Sequence, residues 1–185
     1  MDEIKEFSCL PPKVLLMYEA VVEMIGEGYD VNKMKVSDIT ARAGIGKGTA
    51  YEYFSSKEEI ITRAIAYDVW KKREYLRSLV KGAGNFKEKF DKMLDYLINS
   101  YGERETFCLL VRIGTGSYEI SEPLRKEYEK MQQSMDCESM EKIVDMLMQQ
   151  GVEEGVIKDR NLDRQRMAFV AQIVGFARFC QIHPL

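Results

Sequence analysis

The run from Val36 to Lys57 constrains this chain more than any other: Val-Ser-Asp-Ile-Thr-Ala-Arg-Ala-Gly-Ile-Gly-Lys-Gly-Thr-Ala-Tyr-Glu-Tyr-Phe-Ser-Ser-Lys. It reads as two short helices joined by a glycine-bearing turn. Ile39 and Ala43 lie one turn apart in the first helix, and Ser37 is placed to cap it. Gly44 supplies the left-handed backbone that a sharp turn between helices requires, and Ile45 plugs the angle. The second helix opens at Lys47 and carries Thr49, Tyr51 and Tyr53 within two turns. That is the layout of a helix-turn-helix, whose second helix enters the major groove of DNA. Short hydroxyl and amine side chains there reach base edges and phosphates.

Asp38-Ile39-Thr40, Ala43-Gly44-Ile45, Lys47-Gly48-Thr49-Ala50-Tyr51-Glu52-Tyr53-Phe54 and Ser56-Lys57-Glu58-Glu59 together closely resemble the fingerprint of the tetracycline-repressor (TetR/AcrR) family of bacterial transcription regulators. Upstream, Glu19-Ala20-Val21-Val22-Glu23-Met24-Ile25 is similar to that family's first helix, so the likeness covers roughly residues 13–65. Three positions depart from the pattern. Gly46 stands where a small polar residue is usual, Ala50 where a large aliphatic is usual, and Glu52 where a neutral or aromatic polar residue is commoner. A carboxylate at Glu52 would repel a nearby phosphate.

Charge supports a specific reader rather than a general nucleic-acid coat. The formal net charge of the 185-residue chain is −3, yet residues 33–57 carry five basic side chains against Asp38 and Glu52. The four cysteines, Cys9, Cys108, Cys137 and Cys180, have neither zinc-ligand spacing nor a histidine cluster, and His183 is the only histidine. Metal, cofactor and catalytic residues are therefore not anticipated. Cys108 or Cys180 as a redox sensor is conceivable, against the commoner reading of a small buried hydrophobe. With no signal peptide and no apolar run long enough to span a bilayer, the sequence reads as cytoplasmic and reduced.

The rest of the chain is helical in pattern, with no alternating strand signals. A first helix is expected over about residues 13–27, with an apolar stripe of Leu16, Ala20, Val21 and Met24. A fourth helix, capped by Ser55 or Ser56, runs from about Lys57 to Lys81 and ends at Gly82-Ala83-Gly84-Asn85. Further helices are expected over about 86–101, 104–113, 122–151 (broken near 134–137) and 163–182. The sum is an all-α protein of about nine helices. Its N-terminal helix-turn-helix DNA-binding domain occupies residues 1–56, and a helical effector-binding and dimerisation domain occupies residues 57–185.

The resemblance implies a dimeric, sequence-specific repressor released from a palindromic double-stranded operator by a small apolar or amphipathic effector. Half-sites for helix-turn-helix dimers lie about 34–36 Å apart. The candidate DNA contacts are Ser37, Lys47, Gly48, Thr49, Tyr51, Tyr53 and Lys57. Thr49 offers a methyl to thymine and a hydroxyl to phosphate; Lys47 takes either a guanine edge or a phosphate. Gly48 admits close backbone approach, whereas Tyr51, Tyr53, Lys57 and Ser37 suit phosphates. Phe54 is assigned to packing.

An effector pocket implied by the family would draw on Met93, Tyr96, Phe107, Cys108, Arg112, Tyr128 and Met131. Thioether and aromatic side chains line adaptable pockets and equally fill ordinary cores. The implied dimer interface involves Ile143, Leu147, Phe169, Ile173 and Phe176 in the last two helices, where apolar residues spread around more than one face. A monomer core is the plain alternative. Three other functional readings stay open: a constitutive DNA binder without effector, an interaction module that has lost DNA binding, and a helical enzyme. Against the enzyme stand the absence of a nucleophile motif and of a phosphate loop; Glu153-Glu154 are consecutive and point apart on a helix.

Overall fold

The computed structural model describes residues 7, 9–102, 106, 109, 118–134, 140–158 and 161–182, with side chains at 97–102, 128, 130–134, 140–141, 173–174 and 176–182 excepted. Among the described residues the regular structure is helical, with no strand. Eight helices follow in order: α1 Pro12–Gly26, α2 Val36–Arg42, α3 Lys47–Tyr53, α4 Lys57–Lys81, α5 Phe86–Gly102, α6 Glu122–Ser134, α7 Met140–Glu153 and α8 Leu162–Ile182. The expected helix near 104–113 lies largely outside the described residues.

Local chemistry explains the starts and stops. Pro12 opens α1, where its missing N–H costs nothing. The core stripe of α1 runs through Val14, Met17, Tyr18, Val21, Met24 and Ile25. Leu16, expected in that stripe, is 44% exposed, because a stripe begun at Val14 places residue 16 on the opposite side. The N-cap of α2 is Lys35 rather than Ser37: the Asp38 carboxylate reaches back to accept the Lys35 N–H at 3.3 Å. Ser37 sits inside the first turn and donates to Asp38 at 3.2 Å. At α4, Ser56 Oγ accepts the Glu59 N–H at 3.1 Å while the Glu59 carboxylate accepts the Ser55 N–H at 2.8 Å, satisfying two otherwise orphaned donors.

The chain divides into two compact units, one of residues 1–71 with 104–136, the other of residues 72–103 with 137–185. The first is centred on Met17, Tyr18, Val21 and Met24 of α1, Ile39 of α2, Ala50 of α3, and Phe54, Ile60, Ile61 and Ala64. Leu109 and Leu124 join that core from much later in the sequence. The expected domain boundary after residue 56 falls inside this unit, since the first turns of α4 bury Ile60, Ile61, Ala64 and Ile65 there.

The second unit is centred on Leu76, Val80, Phe86, Met93, Ile143, Val144, Leu147 and Phe169. Its helix ends are tied by polar contacts: the Glu154 carboxylate accepts the Phe86 N–H at 2.9 Å, and Lys89 Nζ donates to the Val80 carbonyl at 2.8 Å. Backbone donation holds the Glu154 carboxyl below its ordinary pKa. A bidentate pair between Arg166 and Asp145, at 2.9 and 2.8 Å, joins α8 to α7.

Candidate nucleic-acid interface

Two consecutive turns of backbone place α2 and α3 against the first core. Gly44 adopts φ +67°, the left-handed conformation the turn demands, and the Ile45 N–H bonds to the Thr40 carbonyl at 3.0 Å. Ile45 packs half-buried against the core. From Gly46, α3 runs for two turns to Phe54, whose extended backbone ends it and whose ring is 5% exposed beneath it. Ala50 is fully buried and fixes which side of α3 is inside. A helix turns about 100° per residue, so Gly48 and Glu52 lie about 160° to either side of Ala50, on the outermost stripe. Tyr51 and Thr49 flank that stripe, about 100° from Ala50. Lys47 and Tyr53, at the two ends of the short helix, lie about 60° from Ala50 and are exposed nonetheless, Tyr51 and Tyr53 being 53% and 41% exposed. Thr49 is half-buried.

Gly48 occupies this stripe without any internal need for glycine. A Cβ built on it meets nothing within 4 Å, and its φ is not positive. Glycine inside a helix costs about 1 kcal/mol relative to alanine. The bare backbone leaves room for something to approach closely from outside.

Much of the positive charge counted in the sequence is neutralised locally. Arg42 forks onto Glu27 at 2.5 and 2.7 Å and lies 3.7 Å from Glu23. That pair lowers the pKa of Glu27 and raises that of Arg42. Lys33 lies 3.6 Å from Asp30. Lys57, anticipated as a phosphate contact, donates to the carbonyls of Asn32 and Met34 at 3.1 and 3.3 Å and lies 3.7 Å from Glu58. It ties the loop between α1 and α2 to the start of α4. Lys35 and Lys47 remain without an ion pair among the described residues, and both are exposed.

The same loop is held from its other side by a polar latch that sequence reading missed. Asn32 accepts the Ser121 N–H at 2.7 Å and donates to the Glu119 carbonyl at 3.0 Å, while the Tyr118 hydroxyl donates to Asp30 at 2.5 Å. The Tyr118 bond holds the Asp30 carboxyl below its ordinary pKa; burial first, and the Asp30 partner next, push the Tyr118 phenol up to about 12.

The other anticipated sites are placed differently. Met93 is 2% exposed within the second core, and Tyr96 packs half-buried with its ring 4.4 Å from that of Tyr75. Phe107, Cys108 and Arg112, and the side chains of Tyr128 and Met131, lie outside the described residues. A cleft of about 250 Å³ opens in the first unit between α1 and α4, lined by Tyr18, Glu19, Tyr67, Asp68 and Lys71 rather than by any of these. Ile143, Leu147 and Phe169, expected at a dimer interface, are 1%, 0% and 7% exposed in the single chain and form its own core. Ile173 and Phe176 have side chains outside the described set. Among the described side chains of α7 and α8 the exposed large apolar ones are Met146, Met167 and Val170, at 39%, 72% and 46%. Cys9 is exposed and free, and no group of three or more metal-ligating residues occurs among the described residues. No helix among them is long and apolar enough to cross a membrane.

Residues 18–64, from the middle of α1 to the first turns of α4, match the family model described as bacterial regulatory proteins, tetR family. A fatty acid metabolism regulator protein of Bacillus subtilis is 24% identical over 151 residues, 80% of this chain and 72% of that one. The solved fatty acid degradation regulator FadR of Bacillus halodurans superposes with a TM-score of 0.70 at 18% identity, covering 94% of this chain and 86% of that one. The transcriptional regulator FadR of Bacillus subtilis, solved in complex with stearoyl-CoA, gives 0.66 at 20% identity over 91% and 87%.

Proposed function

Because the chain belongs to the TetR family of bacterial regulatory proteins, we propose that it is a dimeric transcriptional repressor that reads a palindromic operator with α3 and is released by a fatty acyl effector. The observation that carries the DNA-reading half is the outward surface of α3. Lys47, Gly48, Tyr51, Glu52 and Tyr53 stand clear of the core around a fully buried Ala50, and Gly48 is a glycine that the fold itself does not require. Ser37, Lys47, Tyr51 and Tyr53 supply phosphate contacts, Thr49 supplies a base or phosphate contact, and Lys57 acts by fixing the loop it grips.

A two-turn helix buries little surface, so a single copy binds weakly and two copies are needed for a specific site. Met146, Met167 and Val170 are the exposed apolar positions we assign to pairing of the chain with its copy. Residues 1–56 then carry the reading and residues 57–185 the pairing and response, α4 being one unbroken helix whose first turns pack with the reading residues. The acyl effector is supported by the regulator of fatty acid metabolism among the relatives and by stearoyl-CoA in the superposed B. subtilis protein. Such a ligand acts by preferring a state that binds DNA poorly; a 100-fold change in operator affinity needs about 2.7 kcal/mol of differential binding.

Selection from randomised duplex DNA with the purified chain at physiological salt tests the reading. An enriched palindrome, lost by the Lys47→Ala, Thr49→Ala double variant, is the expected result. Binding that only weakens uniformly with salt and enriches nothing overturns it. Long-chain acyl-CoA titrated into the operator complex then tests the effector: release is expected, and unchanged affinity overturns the acyl effector.

A further inference from the structure

The sequence marks Glu52 as out of place for a helix that meets a polyanion, and the structure gives it a position where a carboxylate is informative. Resting on the assignment of α3 as the reading helix, we infer that Glu52 is a base-specifying residue that selects cytosine through its N4 amino group. Glu52 lies on the outermost stripe of α3, one turn after Gly48 and opposite the buried Ala50. It is exposed and takes part in no hydrogen bond or ion pair within the described chain, so it does no work for the fold. Gly48 has open space where a side chain would stand, which lets the backbone of α3 descend toward the groove floor. The first side chain that reaches past this bare turn on the same stripe is Glu52.

A carboxylate brought to the groove floor loses water and must find donors there. Guanine offers it only the acceptors N7 and O6, and thymine the acceptor O4 beside a methyl group; neither offers a donor. Adenine offers the N6 amino group beside the N7 acceptor, so one carboxylate oxygen is satisfied and the other opposed. Cytosine offers its N4 amino group with no acceptor on the exposed edge beside it. Cytosine is therefore the base that satisfies Glu52. Repulsion from phosphates reinforces the choice, since it disfavours any register that slides Glu52 from the floor to the backbone. The acidic position thus exchanges general affinity for discrimination.

The test compares sequences selected from randomised duplex DNA by the wild-type chain, Glu52→Ala and Glu52→Gln, with relative affinities measured for all four bases at each enriched position. We expect a position where the wild type prefers cytosine by about tenfold. Glu52→Ala should keep the remaining motif and flatten that position. Glu52→Gln should move the preference to adenine, whose N6 and N7 pair with a carboxamide. If both variants enrich the wild-type motif unchanged, the inference fails while DNA reading stands. If the wild type enriches no motif at all, DNA reading fails and takes the inference with it. The exposure of Glu52 and its lack of partners mean that neither variant should disturb folding.

Discussion

On α3 the side turned away from the core carries Gly48 and Glu52, with Lys47, Tyr51 and Tyr53 also exposed, whereas the exposed positions of α7 and α8 include Met146, Met167 and Val170. Tyr51 at 53% and Val170 at 46% are about equally open, so exposure alone does not distinguish the two regions. Their chemistry does. A tyrosine in water keeps its hydroxyl solvated and waits for an acceptor such as a phosphate, while an exposed thioether or branched alkyl gains only by being covered with more apolar surface. The inner sides of both regions follow one rule, burial of Ala50 and Ile39 in the first and of Ile143, Leu147 and Phe169 in the second. The outer sides are therefore where the two regions diverge, and under the proposed function one is suited to nucleic acid and the other to a second copy of the chain.

The contrast between inner and outer sides is broken most severely at the cores. Ile39→Ala and Leu147→Ala should each lose about 2–5 kcal/mol in urea unfolding. If Leu147→Ala left the urea midpoint alone and weakened self-association instead, Leu147 would belong to an interface and not to the core described above. Next in size, Asn32→Ala removes the bonds to Ser121 and Glu119, and should cost about 1–3 kcal/mol in the same assay. Converting the apolar outer side to charge, with Met167→Lys and Val170→Lys together, should weaken dimerisation by about tenfold or more in sedimentation while leaving helical content unchanged.

Gly48→Ala sharpens the opposite outer side by separating stability from binding. With open space around its Cβ, alanine should raise stability by up to about 1 kcal/mol in thermal unfolding while lowering operator affinity. Equal operator affinity would show that nothing approaches this turn.

The smallest effect concerns pH. Asp30 has a lowered pKa when folded, so its contribution is present above the ordinary aspartate range and disappears as pH falls through the folded value. Tyr118→Phe should therefore cost about 1 kcal/mol at neutral pH, and the gap to wild type should narrow once the pH falls below about 4. A gap that stays constant down to pH 3 would show that the Tyr118 bond does not depend on the Asp30 charge.

What the sequence made legible was what neighbouring residues decide. Helix bounds at 57–81 and near 86–101, the positive φ of Gly44, the inward Phe54 and the outward Tyr51 all follow from spacing, capping and turn chemistry within a few residues. Leu16 shows the limit of that method: its neighbours permit two stripes on α1, and the packing of Met17 and Tyr18 chooses between them. Ser37 lost the cap because the helix already begins at Val36, with the Asp38 carboxylate accepting the Lys35 N–H. Ile143, Leu147 and Phe169 were recognisable as apolar, but which side of a doubly apolar helix faces its own chain is settled by Phe86 and Met93 on α5. The latch was invisible. Asn32 and Tyr118 are 86 residues apart, and no local pattern marks either of them as partnered.

That latch also sets an order of events. Synthesis delivers α1, α2 and α3 early, but the Ser121 amide that Asn32 accepts emerges 89 residues later, with Leu124 close behind it. At about 5–20 residues per second, the nascent helix-turn-helix waits roughly 5–20 s beside the ribosome with one side of its core open. Closing so long a loop is entropically slow compared with forming the helices themselves. The helix-turn-helix is thus made well before the residues that complete its core, and its apolar side stays uncovered in that interval.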